Sequence, residues 1–319
     1  LLQESCRFIF MDLEGISRMI RPLEYVDLHV HSTASDGTLS PGELVELALD
    51  RRITILSITD HDTVDGIPEA VEAALELGVR LIPGVELSVD LEREGFTAHL
   101  LGYFPRTPVA VLTDPSTDFG RAIAYVQGGR SARNPRILEK LRGLGMPIEM
   151  EVVADIAGGD VIGRPHIAEA MVSAGYVGDA AEAFSLYLAQ GKPAYSDRDR
   201  LAVSDAVRVI RRAGGLPVLA HPGYIGLGTA DLEELVSVLK SLGLAGVEVF
   251  YPGHDAATTE QLLLLAGKMA LVTTGGTDFH GWRPGAVELG GTPADFHVTR
   301  DMTDGFLALC DGTGETEAG

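Results

Sequence analysis

Two histidines stand one residue apart in Tyr25-Val26-Asp27-Leu28-His29-Val30-His31, where Val26, Leu28 and Val30 alternate with Asp27, His29 and His31. Strand side chains alternate between faces, so this spacing predicts a strand with both imidazoles on one face, roughly 6–7 Å apart. Two imidazoles so placed can converge on one cation. Taken alone, the pair has a plain alternative, with one ring bonded in a core and the other solvated. The rest of the chain weighs against it, because similar donors recur just past the ends of other expected strands. Asp36 follows in Ser35-Asp36-Gly37, His61 in Thr59-Asp60-His61-Asp62, and Glu86 in Gly84-Val85-Glu86. His99 lies in FTAHLLG, His221 in His221-Pro222-Gly223, and Asp278 and His280 in Asp278-Phe279-His280. Singly, several have modest readings: Asp36-Gly37 as a turn, Asp60 or Asp62 as a helix cap, His99 as a core histidine. Jointly they amount to six histidines and three carboxylates at one rim, with no thiolate. A catalytic Zn²⁺ site takes about three protein ligands, so the set exceeds one cation's needs. Mixed nitrogen and oxygen donors suit Mn²⁺, Fe²⁺ or Zn²⁺ without choosing between them. A centre of two or three cations doing hydrolysis is the economical account.

The elements that must position these donors follow a strand–loop–helix rhythm. Ser40-Pro41-Gly42-Glu43 reads as a capping box with proline at the first helical position, ahead of the amphipathic LVELALDRR. ITILSIT is a strand, and IPEAVEAALELG a helix closed by Gly78. VRLIPGVEL and FTAHLLGYF read as strands, as do LPVLA, AGVEVF and ALVTTG later on, with DLEELVSVLKSLG and DAATTEQLLLLAG as helices between them. Such alternation predicts an α/β fold with a mostly parallel sheet, open or closed into a barrel, whose site lies at the C-terminal strand ends. Residues 25–103 and 201–300 carry this pattern. Residues 104–200 break it, being mainly helical (ILEKLRGLGMPI, HIAEAMVSAG), and are expected to form an inserted cap over the active end. Residues 1–24 are expected to be an N-terminal tail and 301–319 a C-terminal tail, with CDGTGETEAG disordered.

Bulk properties exclude several classes. The 319 residues are 45% hydrophobic and 22% charged, and no apolar run approaches the ~20 residues needed to span a bilayer. The opening residues lack the features of a signal peptide. Cys6 and Cys310 form neither a C-x-x-C nor a disulfide framework, so the expected compartment is the reducing cytoplasm and any metal must be held by His and carboxylate. A net charge of −21 argues against duplex DNA and anionic membranes as partners. That charge is uneven: residues 104–200 hold 11 Lys/Arg against 12 Asp/Glu, while the remainder holds 14 against 34. An anionic substrate can approach the balanced middle segment. Arg164 and His166 open a helix there, where free N–H groups already favour phosphate. Arg130 and Arg133 in GGRSARNP, Lys192, and His254 after EVFYPG are further candidates for gripping substrate. Glu248 is expected in the core or behind a ligand, His297 at the surface, and Trp282 near the mouth.

The motifs H-x-H-S-x-x-S-D-G, T-D-H-D, G-V-E, A-H-P-G and G-T-D-F-H, in this order from residue 26 to about 285, resemble the polymerase-and-histidinol-phosphatase (PHP) family of metallo-phosphoesterases. Within it the chain looks most similar to stand-alone enzymes acting on 3′,5′-bisphosphonucleotides and short 5′-phosphorylated RNA. The resemblance implies a distorted (β/α)₇ barrel with a helical insertion after the fourth strand. It implies two or three divalent cations, Mn²⁺ foremost, with Zn²⁺ or Fe²⁺ as alternatives. Carried over by position, the first would be held by His29, His31, Glu86 and Asp278, the second by Glu86, His99 and His221, and the third by Asp36, His61 and His280. Glu86, Asp278 and His221 would then surround a metal-held hydroxide that attacks phosphorus in line. The implied partner is a small anionic nucleotide or a short RNA 5′ end. Histidinol phosphate is a rival substrate, which Asp36 (in place of a histidine) and the large insertion disfavour. A metal-dependent amidohydrolase would often bridge its cations with a carboxylated lysine, and no lysine here ends an expected strand. A non-catalytic metal-binding module is the remaining alternative.

Overall fold

The computed structural model describes residues 24–91, 96–159, 161–281, 287–292 and 296–313. The expected N-terminal tail up to residue 23, Trp282 and residues 314–319 lie outside them. The first strand, β1 (Tyr25–Val30), is followed by α1 (Pro41–Asp50), β2 (Ile53–Ile58), α2 (Ile67–Leu77), β3 (Arg80–Leu81), β4 (Gly84–Asp90) and β5 (Thr97–Tyr103). The capping box at Ser40 and Glu43 is present, and Gly78 ends α2 in the left-handed conformation, as its lack of a Cβ permits. Then come only helices as far as residue 200 among the described residues: α3 (Val109–Leu112), α4 (Asp118–Gly143), α5 (Met150–Ala157), α6 (Arg164–Ser173), α7 (Ala180–Ala183) and a π-helical turn at Phe184–Leu188. Strand and helix alternate again through β6 (Leu201–Ala202), α8 (Val203–Arg212), β7 (Leu216–Leu219), α9 (Thr229–Ser241), β8 (Gly246–Phe250), α10 (Ala256–Lys268) and β9 (Val272–Gly275), closing with α11 (Asp304–Asp311).

The strands form a three-stranded sheet, β1-β2-β3, and a six-stranded sheet, β6-β4-β5-β7-β8-β9. Ladder-type bonds join them on both flanks. His31 N donates to Phe279 O and Asp278 N to His29 O beyond β9, while Asp62 N donates to Glu86 O and Glu86 N to Asp60 O at β4. The α/β expectation holds and the strand pairing is mostly parallel, with one exception: β5 runs antiparallel to both β4 and β7. The short connection between β4 and β5 allows this, since antiparallel neighbours need no crossover helix.

Apolar faces divide by layer. α1 and α2 pack on β1 and β2 through Leu44, Val45, Ala70 and Ile58, and α8 to α10 cover the larger sheet through Val207, Val236 and Leu262. The helices of residues 137–194 keep a core of their own around Leu141, Val153, Ile167 and Met171. The expected C-terminal tail is corrected in its described part. Residues 300–303 form a 3₁₀ turn, and α11 buries Phe306, Leu307, Leu309 and Cys310 against Val26, Leu28, Tyr103 and Val218. Apolar side chains in GFLALC supply one buried face, which eight helical residues are enough to present. Among the described residues no helix is long and apolar enough to cross a membrane.

Candidate metal centre

His29 and His31, both fully buried, end β1 on one face as the alternation predicts. Their Nε2 atoms lie 3.4 and 3.3 Å from Glu86 Oε2, and 3.3 and 3.0 Å from Asp278 Oδ1. Glu86 sits at the middle of the arrangement. His61 Nδ1 is 2.9 Å from its Oε2, and His99 Nδ1 and His221 Nε2 are 2.8 and 3.0 Å from its Oε1. On the far side, Asp36 faces His280 Nε2 at 3.3 Å, His61 Nε2 at 3.9 Å and His31 Nδ1 at 4.0 Å. His99 reaches this rim because β5 is antiparallel: it pairs with Ser88 near the end of β4, not at the end of its own strand.

The donor atoms fall into three groups, each with all atoms within 4.8 Å of one another: His29, His31, Glu86 and Asp278; His31, Asp36, His61 and His280; and His61, Glu86 and His99. The first group coincides with one expected ligand set. The others differ in detail: His31 joins Asp36, His61 and His280, while His61 stands with Glu86 and His99, and His221 adjoins through Glu86. His29 Nε2, both nitrogens of His31, His61 Nδ1, His99 Nδ1, Glu86 Oε2 and Asp278 Oδ1 are buried without a hydrogen-bond partner. Buried polar atoms are nearly always paired, so this many facing one another calls for a charged occupant. The donor set fits divalent cations.

Carboxylates and imidazoles hold one another's charge: burial lowers the rings, yet nearby carboxylates raise His29 well above its ordinary value and His280 to about 9. Burial would raise the carboxyls of Glu86, Asp278 and Asp36, yet the surrounding histidines outweigh it and hold all three well below the usual range. Burial, together with His280 and His61, lowers His31 to about 3, leaving its ring neutral as a ligand requires.

The supporting residues are buried and charged. Glu248 on β8 receives His29 Nδ1 at 2.9 Å on one oxygen and the His221 backbone N–H at 2.8 Å on the other. Glu248 thus sits buried behind His29, and it points Nε2 of that ring toward Glu86 and Asp278. Asp27 accepts from Thr277 N, Thr277 Oγ1 and Gly290 N, which fixes the loop carrying Asp278. Asp60 accepts from Ser32 N, Ser32 Oγ and Ser35 Oγ, folding the segment that presents Asp36. Asp62, His221 and Asp278 adopt φ of +56°, +26° and +54°. Conformations of that kind cost about 1–3 kcal/mol each and persist where the surroundings impose them.

Beside the donors lies a cavity of about 170 Å³ lined by Asp36, His61, His99 and five arginines. Arg130, Arg133 and Arg164 are among those five, as expected from sequence; Arg198 and Arg200 are not among the expected residues. Asp62 holds two of them. Its Oδ2 lies 2.6 Å from Arg130 Nη2 and 2.9 Å from Arg198 Nη2, and its Oδ1 accepts from Ser88 N. Burial and the neighbouring Arg130, Arg198, Arg164 and Arg200 lower Arg133 to about 8, so the cavity is short of negative charge. His166 does not line it; its Nδ1 accepts from Gly163 N at the start of α6. Lys192 is exposed and also off the cavity wall. His254 is placed near the other flank, with Nδ1 donating to Val249 O and Nε2 accepting from Gly223 N. His297 is half-buried against Tyr25. The pair Arg198 and Arg200 had one sequence signal, the run Asp197-Arg198-Asp199-Arg200 where the helical segment returns to the sheet.

The PHP domain model matches residues 27–155. A 3′,5′-nucleoside bisphosphate phosphatase of Chromobacterium violaceum is 34% identical over 275 residues, covering 84% of this chain and 91% of that protein. A 5′-3′ exoribonuclease of Haemophilus influenzae is 35% identical over 271 residues, covering 83% and 92%. Among solved structures, a Bifidobacterium adolescentis protein assigned to the metal-dependent phosphoesterases superposes with a TM-score of 0.78 at 29% identity, over 93% of this chain and 98% of that one.

Proposed function

Because the chain belongs to the PHP family and is a metal-dependent phosphoesterase, we propose that it hydrolyses a phosphate ester of a nucleotide, either a 3′,5′-bisphosphonucleotide or a short 5′-phosphorylated RNA. The observation that carries this reading is the juxtaposition of the donor cluster with a cavity lined by five arginines. A hydrolytic centre alone needs one phosphate; an arginine cavity beside it provides for a second. One relative named above is a phosphatase of 3′,5′-nucleoside bisphosphates, which carry two phosphates, and the other is an exoribonuclease, whose RNA substrate carries one at every linkage.

His29, His31, Asp36, His61, Glu86, His99, His221, Asp278 and His280 would hold two or three divalent cations, Mn²⁺ first among the candidates. Such cations supply a nucleophile from water near neutral pH and neutralise charge on phosphate oxygens. The chain's own residues do the rest. Glu248 and Asp27 keep His29 and Asp278 aimed inward. Arg130, Arg133, Arg164, Arg198 and Arg200 take the phosphate that is not hydrolysed, and Asp62 keeps Arg130 and Arg198 from swinging into the donors. The two sheets act as one distorted (β/α)₇ barrel, supported by the ladder bonds on both flanks, and residues 104–200 act as a cap, supported by the five arginines they contribute. A cytoplasmic location goes with these substrates.

The test is phosphate or nucleotide release by Mn²⁺-loaded protein from adenosine 3′,5′-bisphosphate, a 5′-phosphorylated RNA dinucleotide and histidinol phosphate, each with a chelated control. Turnover of either of the first two, lost on chelation, is expected. Turnover of histidinol phosphate alone would overturn the proposal.

A further inference from the structure

The turns after β7 and β8 carry mirrored tetrapeptides, His221-Pro222-Gly223-Tyr224 and Tyr251-Pro252-Gly253-His254. They interlock. A Cβ on Gly223 would fall 2.8 Å from His254 Cδ2, and one on Gly253 only 2.0 Å from Tyr224 Oη, so each glycine makes room for the other turn's ring. Gly223 N donates to His254 Nε2 at 3.2 Å, and His254 Nδ1 donates to Val249 O at 2.9 Å, which fixes that imidazole from both ends. Tyr251 packs between the turns, its ring 5.3 Å from His221, 5.5 Å from Tyr224 and 5.2 Å from His254. Its hydroxyl donates to Asp278 Oδ2 at 3.0 Å.

The outermost ring of this stack, Tyr224, is 64% exposed. Its neighbours meet it edge-on (Tyr251 at 73°, His221 at 87°) or from one side (His254 at 29°). A rigid aromatic surface is thereby kept open to water at the edge of the donor cluster. Its position relative to the arginines is informative. Ring contacts run from His61 to His99 (5.0 Å), to His221 (5.2 Å) and on to Tyr251 (5.3 Å). His61 and His99 line the arginine cavity, whereas the platform meets the donors at His221 and Asp278. Tyr224 thus lies off the arginine cavity, separated from it by the rings of His99 and His221.

Resting on the nucleotide reading above, with the 5′ phosphate held by the arginines and the 3′ phosphate as the one hydrolysed, we infer that Tyr224 stacks on the base of the nucleotide that lies 3′ to that phosphate. Bases stack on exposed aromatic side chains with little regard to sequence. A 3′,5′-bisphosphonucleotide ends at that phosphate and leaves the platform bare, while an RNA continues across it. Tyr224 is in this account a residue that selects chain over mononucleotide.

The experiment compares kcat/KM for a 5′-phosphorylated RNA dinucleotide with that for adenosine 3′,5′-bisphosphate, in wild type, Tyr224→Ala and Tyr224→Phe. The ratio of the two values should fall about 5- to 150-fold in Tyr224→Ala, the span expected for one base–aromatic stack. Tyr224→Phe, which keeps the ring, should restore it, and a dinucleotide abasic at its second position should show no such fall. A ratio that stays the same in Tyr224→Ala, or falls as far with the abasic substrate, overturns the inference. Wild type that turns over the bisphosphate but not the dinucleotide overturns it too, with the nucleotide reading intact. Wild type that turns over neither overturns the nucleotide reading itself.

Discussion

Replacing Glu248 by glutamine tests how much of the metal centre depends on a residue that touches no cation. The carboxylate uses both oxygens as acceptors, from His29 Nδ1 at 2.9 Å and from the His221 backbone N–H at 2.8 Å, and is fully buried. A carboxylate donates nothing, so Nδ1 of His29 carries a proton toward Glu248, and Nε2 is the nitrogen left to give its lone pair to a cation. Glutamine has the same shape but only one acceptor, so one of the two contacts must fail. If the amide nitrogen faces His221, a buried N–H loses its partner at a cost of about 1–3 kcal/mol. If it faces His29, the ring must shift its proton, and Nε2, the atom 3.3 Å from Asp278 Oδ1, becomes N–H and cannot ligate. Removing a partner of this kind typically costs ~10–100-fold in metal affinity, or about 1.4–2.8 kcal/mol at 1.4 per tenfold. Calorimetric titration of metal-free Glu248→Gln with Mn²⁺ should show that weakening, with far-UV circular dichroism unchanged and most turnover regained at saturating Mn²⁺. Affinity within twofold of wild type in a folded variant would refute the reasoning.

Three further outcomes follow from buried groups. Asp62→Asn leaves two nearly buried guanidiniums without their carboxylate and should cost about 3–5 kcal/mol in urea unfolding. Burial alone would raise the Asp62 pKa, but Arg130 and Arg198 outweigh it and hold it below the usual carboxylate range. Its stabilisation is therefore full above the unfolded-chain pKa of about 3.9 and lost as pH falls through the lower folded value. The gap between wild type and Asp62→Asn should be steady from about pH 6 to 8 and close only below about pH 4; a gap already closing at pH 6 would count against the pairing. Phe306→Ala should lower stability by about 3–5 kcal/mol, since the ring is fully buried 4.8 Å from Tyr103, and a negligible change would return α11 to the status of a tail. Burial pushes the Cys310 thiol up to about 12, so in a Cys6→Ser background native protein should resist iodoacetamide at about pH 8 until urea unfolds it; prompt alkylation of the native form would contradict the packing of α11.

The donors were legible because their signals are local. His29 and His31 share a face by strand periodicity, and Asp36, His61, His221, Asp278 and His280 each sit in a short polar break after an apolar run, whereas Glu86 lies inside β4 between Val85 and Leu87. His99 shows the limit of that reasoning. It lies within the expected strand FTAHLLGYF and not past its end, and it reaches the rim because β5 turns back antiparallel to β4. The grouping of donors is likewise a tertiary matter: His31 faces both Asp278 and Asp36, which spacing along the chain does not express. The short helix at the end was hidden by its neighbours, since GFLALC precedes a run of Gly, Thr and Glu that reads as disordered.

What stayed silent has a common physical character. Arg198 is held by Asp62 from 136 residues away, and Asp27 is held by Thr277 and Gly290, 250 and 263 residues away. In the sequence each is an ordinary charge, on the polar side of a strand or in a mixed run, and solvation is the default reading of such a charge. Burial reverses that reading. A carboxylate taken out of water must be met by donors, and the donors are whatever the fold brings there. The strand alone places Glu248 in the core or behind a ligand, but its two partners, from β1 and the turn after β7, are equally distant in the chain. Metal-binding side chains announce themselves because few other roles call for so many imidazoles. The residues that aim them do not, because their chemistry exists only once distant strands have closed around them. A site of this kind is therefore half readable from sequence by its nature: the atoms that would meet cation and phosphate are local in the chain, and the constraints that make them a site are not.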